Sequence, residues 1–248
     1  MRPILLLLAL AVSVTLVGCA ATSQSGRPAS YHYQMGVSYL EERNYTAALI
    51  DLVEAEKLEP DNHEVQFQLG RTLTGKRRLD LAEQKFLRAL ELRPEYSEAR
   101  NDLGVLYLET GRWDHAIQQF KIVKDDLFYA QHDYAMVNLG LAYMGKGEYE
   151  RALEELYAVR AVSPRDPVVM VAIGRVLFAQ GKSGQAIAEY RRALAQSPDY
   201  AYGQFHLGLA LMKESRLTEA HAAFKEVVRL IPDSDIGRTA MRYSDLLR

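Results

Sequence analysis

Six histidines, a lone cysteine and one Gly-Lys-Ser triplet are the places where this 248-residue chain could do chemistry. His32, His63, His115, His132, His206 and His221 include no His-Glu-x-x-His and no pair separated by three residues, the spacings that set two imidazoles on one helix face for a metal. His206 and His221 could approach one another, but two imidazoles without a further ligand make a poor zinc site. Gly181-Lys182-Ser183 ends like a phosphate-binding loop, yet that loop needs a glycine five residues earlier, where Val176 stands. Glu41-Glu42 and Asp125-Asp126 are sequence neighbours, so neither pair spans a cleft as acid–base carboxylates must. No nucleophile–base pairing is legible. The residues point to no enzyme, no metal and no cofactor; an enzyme with an unrecognised site is the remote alternative.

Charge narrows the partners. Lys and Arg total 30 against 32 Asp and Glu, a formal net charge of −2. That balance argues against a general nucleic-acid binder. The cluster Lys76-Arg77-Arg78 is short and reads as a solvated turn between two helices. What remains is a surface, and repetition builds it.

Gly36, Gly70, Gly104, Gly140, Gly174 and Gly208 recur at spacings of 34, 34, 36, 34 and 34 residues. Twelve residues after each comes Ala48, Ala82, Ala116, Ala152, Ala186 or Ala220, and four further on Leu52, Phe86, Phe120, Leu156, Tyr190 or Phe224. Pro60, Pro94, Pro164, Pro198 and Pro232 close every unit but the third. Small residues on paired helices allow close approach, the large residue is expected to fill the space between neighbouring units, and proline stops each unit. The pattern resembles the tetratricopeptide repeat, one helix–turn–helix per 34 residues. The resemblance implies an all-α, right-handed superhelical solenoid, with the first helix of each unit on the concave face and the second on the convex face. Six repeats are expected at 29–62, 63–96, 97–132, 133–166, 167–200 and 201–234. Residues 235–248 read as a capping helix, with Ile236, Ala240, Tyr243 and Leu247 at helical spacing.

The first residues read as an address. Arg2 precedes an apolar run, Ile4–Val17, too short for a comfortable membrane span. It ends Leu16-Val17-Gly18-Cys19, and Cys19 is the only cysteine in the chain. This resembles the lipobox of bacterial lipoproteins, which implies cleavage after residue 18 and lipidation of Cys19. A plain secretory signal with an incidental cysteine is the competing reading. By the same resemblance, Ala20 in place of an aspartate implies sorting to the outer membrane of a Gram-negative bacterium, facing the periplasm. Several acyl chains give durable attachment to the bilayer. Residues 19–28 then form a flexible tether of small and polar residues.

If the first helices line the concave face, the partner-binding candidates are Tyr33, Phe67, Asn101, Val137, Val171 and Phe205 near the ladder glycines. Leu141 lies one turn along with Arg71 and Arg175, followed by Leu108, Met144, Phe178 and Met212. Most are apolar, which suits an amphipathic helix or an extended apolar peptide, so the expected partner is a protein and not a small-molecule substrate. Chaperone-docking tetratricopeptide proteins hold a C-terminal carboxylate with lysines and asparagines. The matching sites here are Tyr33, Val37, Gln68, Glu98 and Asp102, which contain no lysine and two acids, so that clamp is rejected.

The third unit is two residues longer than the others and lacks proline. Its end carries Asp126-Leu127-Phe128-Tyr129, and the next unit opens toward Asn138-Leu139-Gly140. With the lipobox and six repeats, this junction resembles the tetratricopeptide lipoproteins of type IV pilus biogenesis, the pilotin family. The resemblance implies a non-enzymatic protein that helps the outer-membrane secretin, the pilus exit ring, to localise and assemble. Repeats five and six stay closer to consensus than is usual in that family, which keeps open a scaffold that recruits peptidoglycan hydrolases or another envelope complex.

Overall fold

Prolines at unit ends and a positive-φ turn within each unit divide the chain into helices in a strict order. A computed structural model describes residues 27–247; Cys19, the signal-peptide reading and most of the tether reading lie outside the described residues. Among the described residues there are thirteen helices and no strand: α1 (Ala29–Glu41), α2 (Tyr45–Leu58), α3 (His63–Gly75), α4 (Leu79–Leu92), α5 (Ser97–Glu109), α6 (Trp113–Lys124), α7 (His132–Lys146), α8 (Tyr149–Val162), α9 (Pro167–Ala179), α10 (Ser183–Gln196), α11 (Ala201–Lys213), α12 (Leu217–Leu230) and α13 (Asp235–Leu246). None is long and apolar enough to cross a membrane.

Each odd-numbered helix up to α11 packs against the even one that follows it. The backbones of the odd helices also approach one another in series, α1 on α3 through to α11 on α13, whereas those of successive even helices do not. The odd helices therefore form one continuous inner layer, and the even helices splay outward. Ion pairs bridge that splay, among them Lys85–Glu56 from α4 to α2 at 2.5 Å, Lys124–Glu155 from α6 to α8 at 2.8 Å and Arg191–Glu219 from α10 to α12 at 2.8 Å. Exposed pairs of this kind stabilise by about 0–1 kcal/mol each.

The ladder works within each pair. A methyl group on Gly104 would lie 2.7 Å from Phe120 Cε1, on Gly174 2.4 Å from Tyr190 Cε1, and on Gly208 2.7 Å from Phe224 Cε1. Leu52, Phe86 and Leu156 meet Gly36, Gly70 and Gly140 in the same way. The large residue thus seats on the glycine of its own unit and, as expected, also reaches the next one: Tyr190 stacks on His206 at 5.9 Å and Phe224 on Tyr243 at 5.0 Å. It is also buried, Phe120 and Tyr190 completely. The proline sits second in each four-residue connection between units, as in 59–62 and 93–96. The third connection, 125–131, has no proline and is longer.

The turn inside each unit places one residue at positive φ: Arg43, Arg77, Gly111, Gly147, Gly181 and Ser215, with φ between 58° and 84°. Gly181 is such a turn residue and Ser183 is buried at the start of α10, which explains the Gly-Lys-Ser triplet without a phosphate. A methyl group on Gly181 or on Gly184 meets nothing within 4 Å, so conformation alone decides the effect of alanine. Gly181→Ala is expected to lower stability by about 1 kcal/mol because φ is +80°. Gly184→Ala, three residues on and inside α10, is expected to raise it by about 0.5–1 kcal/mol. Urea unfolding of the two variants checks the opposite signs.

At the C-terminus, α13 covers the last pair. Ser234 caps it by accepting from the Gly237 N–H at 2.9 Å. Tyr243 stacks on Phe224 with ring centres 5.0 Å apart, Ala240 is fully buried, and the His221 ring meets the Ser244 carbonyl at 3.0 Å. An end helix of this kind covers apolar surface that a further unit would otherwise cover.

Candidate functional site

The inner layer forms a groove along the odd helices. Its middle is an apolar cleft of about 280 Å³ between Val105, Leu108, Trp113, Leu141, Met144 and Arg175. Leu141 and Arg175 also line the adjoining cleft, about 270 Å³, with Tyr134, Val137, Asn138, Val171, Tyr200 and Tyr202. Val105 joins the middle to a smaller hollow beside Arg71, Thr74 and Asp102. Shared walls make the three clefts one path across α3 to α11. A wider, open hollow lies apart from it at the connection Glu59–Glu64 and is lined by that connection's own polar residues.

The expected groove residues fall into three environments. Leu108, Leu141 and Met144 are half-buried and line the path; Val137 and Val171 are nearly covered but form its floor. Phe67 is buried, its ring 5.0 Å from Tyr96 and 6.1 Å from Phe86, and Asn101 is buried with its amide donating to Asp102 at 3.3 Å. Tyr33, Phe178, Phe205 and Met212 are half-buried. The Lys213 ammonium lies 4.8 Å over the Phe178 ring, and Phe205 faces Phe224 and Tyr243, at 5.9 and 6.3 Å. Burial and Glu64 raise the Tyr33 phenol above its usual range.

Charge in the groove is sparse. Arg71 donates to Gln68 at 3.2 Å and lies 3.7 Å from the Asp102 carboxylate. Burial raises the Asp102 carboxyl against the pull of Arg71. Its side chain keeps 31% exposure and lines the hollow it shares with Arg71 and Thr74. Arg175 rests near the Tyr202 ring at 5.7 Å and, among the described residues, has no carboxylate within ion-pair distance. Burial, with Arg175 nearby, lowers the His206 imidazole to about 3. Among the described residues no three His, Cys, Asp or Glu side chains are placed to hold a metal ion.

Sequence patterning did not single out Trp113, Tyr134, Tyr200 or Tyr202, because they stand at helix starts and not at the register positions around the ladder glycines. At the long connection, Asp126 accepts from the Ser97 hydroxyl at 2.6 Å and the Phe128 N–H at 3.1 Å, and Tyr129 is buried. Leu127 and Phe128 are presented to solvent, Phe128 at 98% exposure.

A family model described as tetratricopeptide repeat matches residues 33–97, 67–126, 101–167 and 171–235. The chain belongs to the tetratricopeptide repeat family. Its architecture is a scaffold suited to protein–protein interaction. A tetratricopeptide repeat protein from Parabacteroides merdae is similar over 90% of this chain and 86% of its own, with TM-score 0.80 and 17% identity. PilW, a widely conserved type IV pilus biogenesis factor, is similar over 86% of this chain and 98% of its own, with TM-score 0.73 and 18% identity. PilF of Pseudomonas aeruginosa is similar over 86% and 96%, with TM-score 0.65 and 18% identity. At these identities the likeness is one of fold.

Proposed function

We propose that this tetratricopeptide repeat protein is a non-enzymatic lipoprotein, held by Cys19 on the periplasmic face of the outer membrane. There it binds a protein partner in its concave groove and assists localisation and assembly of the type IV pilus secretin. The observation that carries the binding role is the unbroken groove across α3 to α11, apolar for most of its length. The lipobox, the junction residues Asp126–Tyr129 with Asn138–Gly140, and the near full-length fold likeness to PilW support the pilus assignment.

The test is a deletion strain assayed for heat- and detergent-resistant secretin multimers in outer-membrane fractions. Loss of multimers, restored by the wild-type gene, is expected; normal multimers and intact pili would overturn the reading. The groove has its own check in Phe178→Asp. The residue is half-buried beside Lys213 and holds on α9 the register position that Leu108 and Met144 hold on α5 and α7, so the aspartate is tolerated while an apolar side chain of the inner layer is lost. Secretin co-purification is expected to fall about tenfold with thermal stability little changed. Unchanged co-purification would remove this part of the groove from the partner site.

A further inference from the structure

The repeat register isolates one cation in the groove. Arg71 follows its ladder glycine directly, and its partners are Gln68, two residues before that glycine, and Asp102, two residues before the next one. Arg175 holds the same position on α9. The residues that answer to Gln68 and Asp102 are Ala172 and His206. Alanine offers no acceptor, and His206 is neutral, its ring held between Tyr190 at 5.9 Å and Tyr202 at 4.5 Å. The same position that is internally satisfied on α3 is therefore uncompensated on α9. It lies where the two larger clefts meet.

We infer that Arg175 is the specificity-determining residue of the groove and that it takes an acidic side chain within a bound peptide segment of the protein partner. Guanidinium in a partly desolvated setting favours a carboxylate, with which it forms paired hydrogen bonds. The walls on either side select what flanks that acid: Leu141, Met144 and Trp113 one way, Tyr134, Tyr200 and Tyr202 the other. Because the groove continues past Arg175 in both directions, the chain of the ligand passes through the site. The acid is thus internal and is not a C-terminal carboxylate. This inference rests on the groove reading and names the chemistry that the groove selects.

The full chain is screened against a phage-displayed library of random dodecapeptides, and the enriched peptides are resynthesised. Fluorescence of Trp113, the single tryptophan, reports whether they enter the groove. Enriched peptides are expected to carry an internal Asp or Glu flanked by apolar residues. Replacing that acid with its amide, or Arg175→Gln in the protein, weakens binding about tenfold or more; the two changes together cost no more than either alone. Arg191→Gln, on the outer layer and paired with Glu219, changes affinity little. Amidating the peptide C-terminus has no effect. Peptides that perturb Trp113 without any acid preference, or whose binding depends on the C-terminal carboxylate, would overturn the inference and leave the groove standing. No peptide that perturbs Trp113 would overturn the groove reading itself.

Discussion

Phe120→Ala is expected to lose about 3–5 kcal/mol of unfolding free energy. Phe120 is fully buried and seats on Gly104, in the third of six helix pairs. Removing the ring leaves a cavity between α5 and α6 that backbone glycine cannot fill. Position matters as much as size. A stacked-repeat protein is stabilised by each unit and by the contacts between neighbours, so a central lesion uncouples the two ends. Urea unfolding followed by circular dichroism should change from one transition to two. An end lesion such as Tyr243→Ala should keep one transition with a smaller shift. A loss under about 1 kcal/mol for Phe120→Ala would mean that the ring is not the keystone of its unit.

The glycine partner sharpens the same prediction. Gly104→Ala places its methyl 2.7 Å from the ring, and overpacking of this kind costs about 1–3 kcal/mol. In the Phe120→Ala background that methyl enters vacated space, so the second change becomes neutral or favourable. The cycle should therefore show a coupling of about 1–3 kcal/mol. Additive losses would show that Gly104 matters for its backbone and not for the ring it admits.

These pairs show why much of the fold was legible in sequence. Glycine, alanine and a large residue recur at fixed spacing because each unit solves the same packing problem, so the helices and their pairing follow from periodicity. What spacing alone does not say is that the ring of the large residue meets its own glycine as well as the next unit, as Tyr190 meets both Gly174 and His206. The groove was legible only in part. Leu108, Leu141 and Met144 follow from their register after the ladder glycines on the odd helices. Tyr200 and Tyr202 reach the same path from the start of α11 because successive units are rotated, and that rotation is not encoded in any one repeat. The isolation of Arg175 was readable in principle, by setting Gln68 and Asp102 beside Ala172 and His206 in register.

Acid should weaken the fold through His206. From its own helix it faces Tyr202 and Phe205, from α10 the Tyr190 ring, and from α9 the Arg175 cation. Burial, with Arg175 nearby, lowers the imidazole to about 3. In the unfolded chain it titrates near 6.5. Between these values the unfolded state binds the extra proton, so stability rises with pH across the window. The contribution is complete above about pH 6.5 and is lost as pH falls toward 3, at about 1.4 kcal/mol per unit. From pH 7 to pH 5 the loss from this one group is about 2 kcal/mol. Carboxylates held low by hydrogen bonds from Ser97, Lys146 and Arg229, namely Asp126, Glu148 and Glu226, lose their contributions only at lower pH. Asp102, raised by burial, acts in the opposite sense. His206→Phe keeps an aromatic ring beside Tyr190 and removes the titration. Urea unfolding at pH 7 and pH 5 should show the variant less acid-sensitive than wild type by about 2 kcal/mol. Equal sensitivity would mean that His206 is already protonated in the folded chain at pH 5, and a second cation would then stand beside Arg175.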